Sequence, residues 1–154
     1  MVSDDSPSCL FCQIAQGRLA SSMVLESDRV IAFLDIRPIR RGHVQIIPRE
    51  HFACFEDLPS DIAGEIMAIG QKIARAQKRL YSVDRVAFLF TGGDVAHAHA
   101  HVVPMAEKTD ITSRRYIREE TLTFAATPLA SAAELDAVAR ELKGALSDAA
   151  AMKS

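Results

Sequence analysis

Residues 97 to 104 read His97-Ala98-His99-Ala100-His101-Val102-Val103-Pro104, three histidines alternating with small or apolar residues. Alternation is the period of a β-strand, so the three imidazoles are expected on one face, with Ala98, Ala100 and Val102 turned to a core. Neighbouring rings on that face would stand roughly 6.5–7 Å apart at Cβ, two residue rises. With a reference pKa of about 6.5, an imidazole can act as nucleophile, acid or base at neutral pH. To attack through one ring nitrogen it needs the other held as N–H by an acceptor. Phosphorus suits such a nucleophile, because the phosphoramidate that forms is labile enough to be hydrolysed. Neighbouring imidazoles and backbone N–H groups can hold the phosphate oxygens as charge builds. An isolated histidine is more often a surface residue or a satisfied core group. Three on one face lose apolar packing and each needs a partner, so a site is the better reading.

The other reactive residues lie nearby in sequence. Thr91-Gly92-Gly93-Asp94 forms a turn just before the triad, and its glycines allow backbone to approach a ligand closely. His43 and His51 come from a separate element that sheet formation can bring beside the triad. Arg37, Arg40 and Arg41, and later Arg114 and Arg115, read either as solvated charge or as contacts to distal phosphates. The three cysteines are Cys9, Cys12 and Cys54. An odd count with one C-x-x-C argues against a disulfide framework and suits a reducing compartment. This C-x-x-C does not follow a strand, which weighs against a thioredoxin-like redox motif.

A chain of 154 residues is long enough for one domain with a real core. Hydrophobic residues make up 49% and charged residues 25%, with a net charge of −2, so no global electrostatic case exists for nucleic acid or membrane surfaces. No apolar run approaches the roughly 18 residues of a membrane span, and no signal-like leader opens the chain. A cytoplasmic location is expected.

The elements that must position the histidines follow from periodicity. Residues 1–8 are polar and expected to fray. Cys9 to Gln16 suits a short helical turn stopped by Gly17. Met23–Glu26 and Val30–Asp35 flank Ser27-Asp28-Arg29 as a hairpin, and His43–Ile47 forms a third strand ending at Pro48, with His43 and Gln45 on one face. A helix is expected from Ser60, its N-cap, to Leu80, on the stripe Ile62, Ile66, Ile69, Ile73, Ala76 and Leu80. Arg85–Phe90 is a buried strand leading to the histidine strand, and Thr121–Phe124 an edge strand. A last helix starts near Ser131, where Ser131 and Glu134 form a capping box. Strands joined by short turns predict an α+β fold, an antiparallel sheet with helices on one side.

Gly42-His43-Val44-Gln45-Ile46-Ile47-Pro48 with His51, then His97-x-His99-x-His101-x-x-Pro104, resembles the histidine triad (HIT) family. Cys9-Leu10-Phe11-Cys12 and Phe33-Leu34-Asp35-Ile36-Arg37-Pro38 fit the same pattern. The resemblance covers roughly residues 9–105, within a domain expected over 9–108, with 109–154 left as a C-terminal extension carrying the edge strand and last helix. It implies a five-stranded antiparallel sheet, usually in a homodimer that uses the long helix. It implies a nucleotide hydrolase or transferase in which His99 attacks the α-phosphate of a nucleoside phosphoramidate or dinucleoside polyphosphate and forms a nucleotidyl-histidine, with His101 and His43 in support. Asp35 would accept ribose hydroxyls, Phe33 and Ile36 would line the pocket for a purine base, and Gly92, Gly93 and Asp94 would border the phosphates.

Cys9, Cys12, His51 and His97 would form a Cys2His2 structural zinc site, an arrangement that bacterial members of the family resemble. The chain departs from the family at Gly93, where many members carry Gln, and at Asp94, where Ser or Thr is usual. A carboxylate there repels phosphate or, once protonated, acts as a leaving-group acid. Two other functions are open on the residues: a zinc-dependent hydrolase built on the histidine strand, and a nucleotide-binding adaptor with vestigial activity.

Overall fold

The computed structural model describes residues 8–112, 121 and 126–151. Residues 1–7 of the expected frayed terminus, Arg114 and Arg115 lie outside these, as does the Thr121–Phe124 segment apart from Thr121. Five strands pair antiparallel: β1 (Met23–Glu26), β2 (Val30–Leu34), β3 (Val44–Pro48), β4 (Arg85–Phe90) and β5 (Ala100–Met105), in the order β1-β2-β3-β5-β4. The β1–β2 hairpin turns at Ser27, whose Oγ accepts from the Val30 N–H at 3.1 Å, the local bonding that makes serine a turn residue.

Alternation sorts β2, β3 and β5 onto two faces. Ala32, Leu34, Val44, Ile46, Ala100 and Val102 pack against α2 (Ser60–Tyr81) and α3 (Ala132–Ala151). Helix α2 contributes the expected stripe of Ile62, Ile66, Ile69, Ile73 and Ala76, and α3 adds Val138, Ala139 and Leu142 to the same core. The sheet's other face is not bare, as a one-sided arrangement would have it. There Ile31, Phe33 and Ile47 meet Phe11, Ile14 and Ala15 of α1 (Leu10–Ala15). Helix α1 ends as glycine predicts: Gly17 takes φ +70°, its N–H bonds Ile14 O, and Arg18 N–H reaches back to Gln13 O.

Helix boundaries differ in one detail. Pro59 occupies the N-cap position of α2 and Ser60 is its first residue, so no side-chain cap forms. Proline suits a helix start because its missing N–H would have had no partner there. At α3 the expected cap is present, with the Glu134 N–H donating to Ser131 Oγ at 3.2 Å. No helix among the described residues is long and apolar enough to cross a membrane.

One side chain of α2 ties the helix to both histidine-bearing strands. Gln77, fully buried, donates through Nε2 to Gly42 O at 2.8 Å and to Val102 O at 3.0 Å. These carbonyls belong to the residues just before His43 and just after His101. Gly42 itself has φ +87°, and a Cβ there would stand 2.5 Å from the Tyr81 ring, so only glycine fits. Gln77→Leu removes both bonds and with them the tie between the helix and the two buried carbonyls, a loss of about 2–4 kcal/mol. Thermal unfolding should show a Tm lowered by about 5–15 °C; an unchanged Tm would show that the clamp contributes nothing to stability.

Candidate functional site

The three triad histidines do not lie on one strand. Strand β5 begins only at Ala100, and its last partner on β3 is Ile46. Continued pairing would set Pro48 opposite Ala98, and proline has no N–H to extend the ladder. The chain turns instead: His97 N–H bonds Val95 O at 2.8 Å and Ala98 N–H bonds Phe52 O at 2.7 Å. His97 and His99 therefore stand on irregular backbone, which sends their rings to different places.

His101 remains in the strand, between Gln45 of β3 and Leu89 of β4. Its ring meets His43, which immediately precedes β3, with His43 Nε2 and His101 Nδ1 3.0 Å apart. The proton positions follow from the partners. The backbone N–H of Ile39 points at His43 Nδ1 from 3.2 Å and can only donate, so Nδ1 accepts and the neutral ring carries its proton on Nε2. That proton goes to His101 Nδ1, leaving the His101 N–H on Nε2, 3.3 Å from Thr91 Oγ1. Burial supports the neutral rings. It lowers the His43 pKa to about 4, against the opposing pull of Asp35 and with a smaller contribution from His101. Burial also lowers that of His101, with His99 adding to the effect.

His99 is buried between Phe11 and His101, with ring centroids 5.1 and 4.9 Å away. Its Nδ1 lies 2.7 Å from His97 O, and a carbonyl can only accept. The Nδ1 therefore carries the proton and Nε2 keeps its lone pair. This is the tautomer that a nucleophilic histidine requires.

His97 turns the other way. Its Nε2 donates to Pro48 O at 2.9 Å, so the lone pair on Nδ1 faces Cys9 Sγ and Cys12 Sγ, each at 3.5 Å. His51 Nδ1 is 3.3 Å from Cys12 Sγ. All four donor atoms lie within 4.8 Å of one another. Tetrahedral zinc with its usual bond lengths separates sulfur from nitrogen by about 3.5 Å, so the set is of the right kind and size. The outer carbonyl on His97 is the support that metal-bound imidazoles ordinarily have.

Asp35, His43 and His101 also bring donor atoms within 4.8 Å. Metal on His43 Nε2 would force that ring's proton onto Nδ1, against the Ile39 N–H. The geometry favours a proton-ordered row there, and not the metal platform of the zinc-hydrolase reading.

A cavity of about 960 Å³ opens beside this row. Phe33, Asp35, Ile36, His43, His101 and Asp94 all border it, whereas Gly92 and Gly93 form the exposed turn beside it, with Gly92 at φ +66°. His99 does not border it, but its ring meets those of Phe11 and His101, which do. Phe11 and Gln45, which border the cavity, and Thr91 at its rim were not singled out as site residues in the sequence. Alternation had nonetheless set Gln45 on the face of His43. Asp35 accepts from Arg37 N–H through Oδ1 at 2.7 Å and from Gln45 Nε2 through Oδ2 at 2.6 Å. Of the basic cluster, Arg40 is bound to Asp110, and Arg41 to Glu141 and Glu134. Arg37 borders the cavity with no ion pair among the described residues.

A small α+β domain that sets a histidine row beside a nucleotide-sized cavity defines the class, and comparison identifies it. The HIT domain family model matches residues 16–108, and the chain belongs to the HIT family. It is 31% identical over 103 residues to an uncharacterized HIT-like protein of Methanocaldococcus jannaschii, covering 64% of this chain and 80% of that one. It is 32% identical over 102 residues to the adenosine 5'-monophosphoramidase of Schizosaccharomyces pombe, covering 63% and 74%. A zinc-bound histidine triad family protein from Mycobacterium smegmatis superimposes with a TM-score of 0.73 at 27% identity, covering 94% and 97%.

The low pKa of His43 has a thermodynamic consequence. Folded His43 stays neutral down to about pH 4, whereas an unfolded imidazole takes its proton near 6.5. Between those values the unfolded chain binds more protons, so stability is full above about 6.5 and is lost as pH falls towards 4. Thermal scans of metal-free protein from pH 7 to 4.5 should show a falling Tm, with a shallower slope in His43→Asn. An identical slope in that variant would mean His43 is not held neutral by the fold.

Proposed function

We propose that the protein is a nucleotide hydrolase or transferase that cleaves at the α-phosphate of a purine nucleoside phosphoramidate through a nucleotidyl intermediate on His99. The observation that carries this is the bond from His99 Nδ1 to the His97 carbonyl, which leaves Nε2 as the free nucleophilic atom. Attack by Nε2 on the phosphoramidate, protonated from solvent at its nitrogen, forms a P–N bond and breaks the bond to the leaving amine, which departs neutral with that proton. The ring, now cationic, is stabilised by the same carbonyl. Water then displaces the nucleotide and returns the lone pair to Nε2. The His101 N–H and its neighbour Thr91 would hold phosphate oxygens as charge develops, a role supported by their contact with each other. Phe33 and Ile36, with Phe11, supply an apolar slot for the base, and Asp35 supplies an acceptor for the sugar.

The charges around the cavity favour an amine over a polyphosphate as leaving group. Arg40 and Arg41 are already paired with carboxylates, so among the described residues Arg37 is the member of that cluster left for distal phosphates. Asp94 on the cavity wall repels further phosphate and attracts a protonated amine. The monophosphoramidase among the relatives supports the same choice.

Zinc fits Cys9, Cys12, His51 and His97, which would hold it as a closed structural site, tying α1 to the segments before α2 and β5. The zinc-bound relative supports this assignment. A homodimer through α2 completes the reading, supported by Met67, 47% exposed on that helix.

With an adenosine phosphoramidate as substrate, His99→Asn should lower AMP release by at least about a thousandfold, the scale of a lost nucleophile. Chelation that leaves the protein folded should lower Tm but keep turnover within a few-fold. Turnover indifferent to His99→Asn would contradict the covalent route. Turnover abolished by chelation, with the fold intact, would point to a metal hydrolase.

A further inference from the structure

Across the site face of the sheet, Phe33, Gln45, His101 and Leu89 occupy adjacent register positions on β2, β3, β5 and β4. Gln45 thus stands between the wall expected for the base and the histidine row, on a face otherwise devoted to ring and apolar groups. A buried amide is costly there unless it is bonded. Only 9% of Gln45 is exposed, yet it borders the cavity. Its Nε2 donates to Asp35 Oδ2 at 2.6 Å, a short bond of the charge-assisted kind, while the Arg37 N–H fixes Oδ1. Together they hold both Asp35 oxygens in one orientation. Gln45 Oε1 is buried and has no partner among the described residues. The two fixed oxygens of the Asp35 carboxylate are the acceptors on offer, and a sugar with two adjacent hydroxyls has two donors to give.

We propose that Gln45 sets the sugar selectivity of the site, holding Asp35 so that its carboxylate receives a ribose diol and disfavours 2′-deoxyribose. This rests on the nucleotide reading above. Gln45 is a positioning residue: it acts on the sugar-binding carboxylate and leaves the chemistry at His99 alone. Its removal should therefore weaken ribonucleotide binding and raise KM while changing kcat little.

The test compares AMP with 2′-deoxy-AMP by calorimetry, and the two corresponding phosphoramidates by steady-state kinetics, in wild type, Gln45→Met and Gln45→Leu. Methionine keeps the volume and removes the donor and acceptor, which separates the hydrogen bonds from packing. Wild type should bind AMP about 10- to 100-fold more tightly than 2′-deoxy-AMP, the worth of one hydrogen bond to a charged group. In both variants that ratio should collapse to within about threefold, through weaker AMP binding, with kcat on the ribose substrate within about threefold of wild type.

An unchanged ratio in Gln45→Met, or equal weakening of both ligands, would overturn the proposal, since a merely structural role weakens both alike. A wild type that does not discriminate would overturn it too. Turnover reports separately on the underlying reading. AMP bound with a Gln45-dependent ribose preference but never released from a phosphoramidate would support this inference and contradict the hydrolase. No binding of either nucleotide would overturn both.

Discussion

The backbone N–H of Ile39 decides where the protons of the histidine row sit. It occupies His43 Nδ1 and obliges that ring to carry its proton on Nε2. His101 must then accept on Nδ1 and present its own N–H toward Thr91. Reversing any member would set two donors or two lone pairs face to face, at a cost comparable to a buried unpaired polar group. The order survives only while the rings are neutral, and burial ensures this by pushing the pKa of both His43 and His101 down. Gln77 holds the backbone on either side of the pair, so the row belongs to the core as much as to the cavity.

His97 joins this region to the cysteine cluster through three of its atoms. Its carbonyl fixes the tautomer of His99, its Nε2 is anchored on Pro48, and its Nδ1 faces the two thiols. A group bound at Nδ1 would therefore stiffen the backbone that orients His99 without touching the reacting atoms. The same connection explains why the two clusters lie so close together and need not share a function. One has lone pairs converging on a point, as ligands do. The other passes protons along a line.

Much of this arrangement was legible in the sequence. The apolar stripe from Ile62 to Ala76 gave α2, the Ser27 turn gave the hairpin, and alternation set Ala100 and Val102 inward. Period-two spacing sets all three triad histidines on one strand face, which the structure corrects, because such spacing says nothing of where a ladder must stop. That limit came from Pro48, forty residues or more away in the chain, which lacks the N–H needed opposite Ala98. Ser60 was assigned the cap one residue late, since a proline N-cap carries no side-chain signal. Gln45 stood on the right face, yet its bond to Asp35 depends on how β2 delivers the following turn. Thr91 and Phe11 enter the site only through register and through the packing of α1 on the second face of the sheet. Neither leaves a local pattern.

In the proposed mechanism His99 Nε2 becomes covalently bonded to phosphorus during turnover. The most direct measurement is to quench wild-type protein with alkali during turnover of an adenosine phosphoramidate, conditions that preserve a phosphoramidate, and to map its modified peptides by mass spectrometry. The account predicts an adenylyl group on His99. Rapid AMP release with no modified histidine at any quench time, or a stable adduct on His43 or His101 instead, would contradict it.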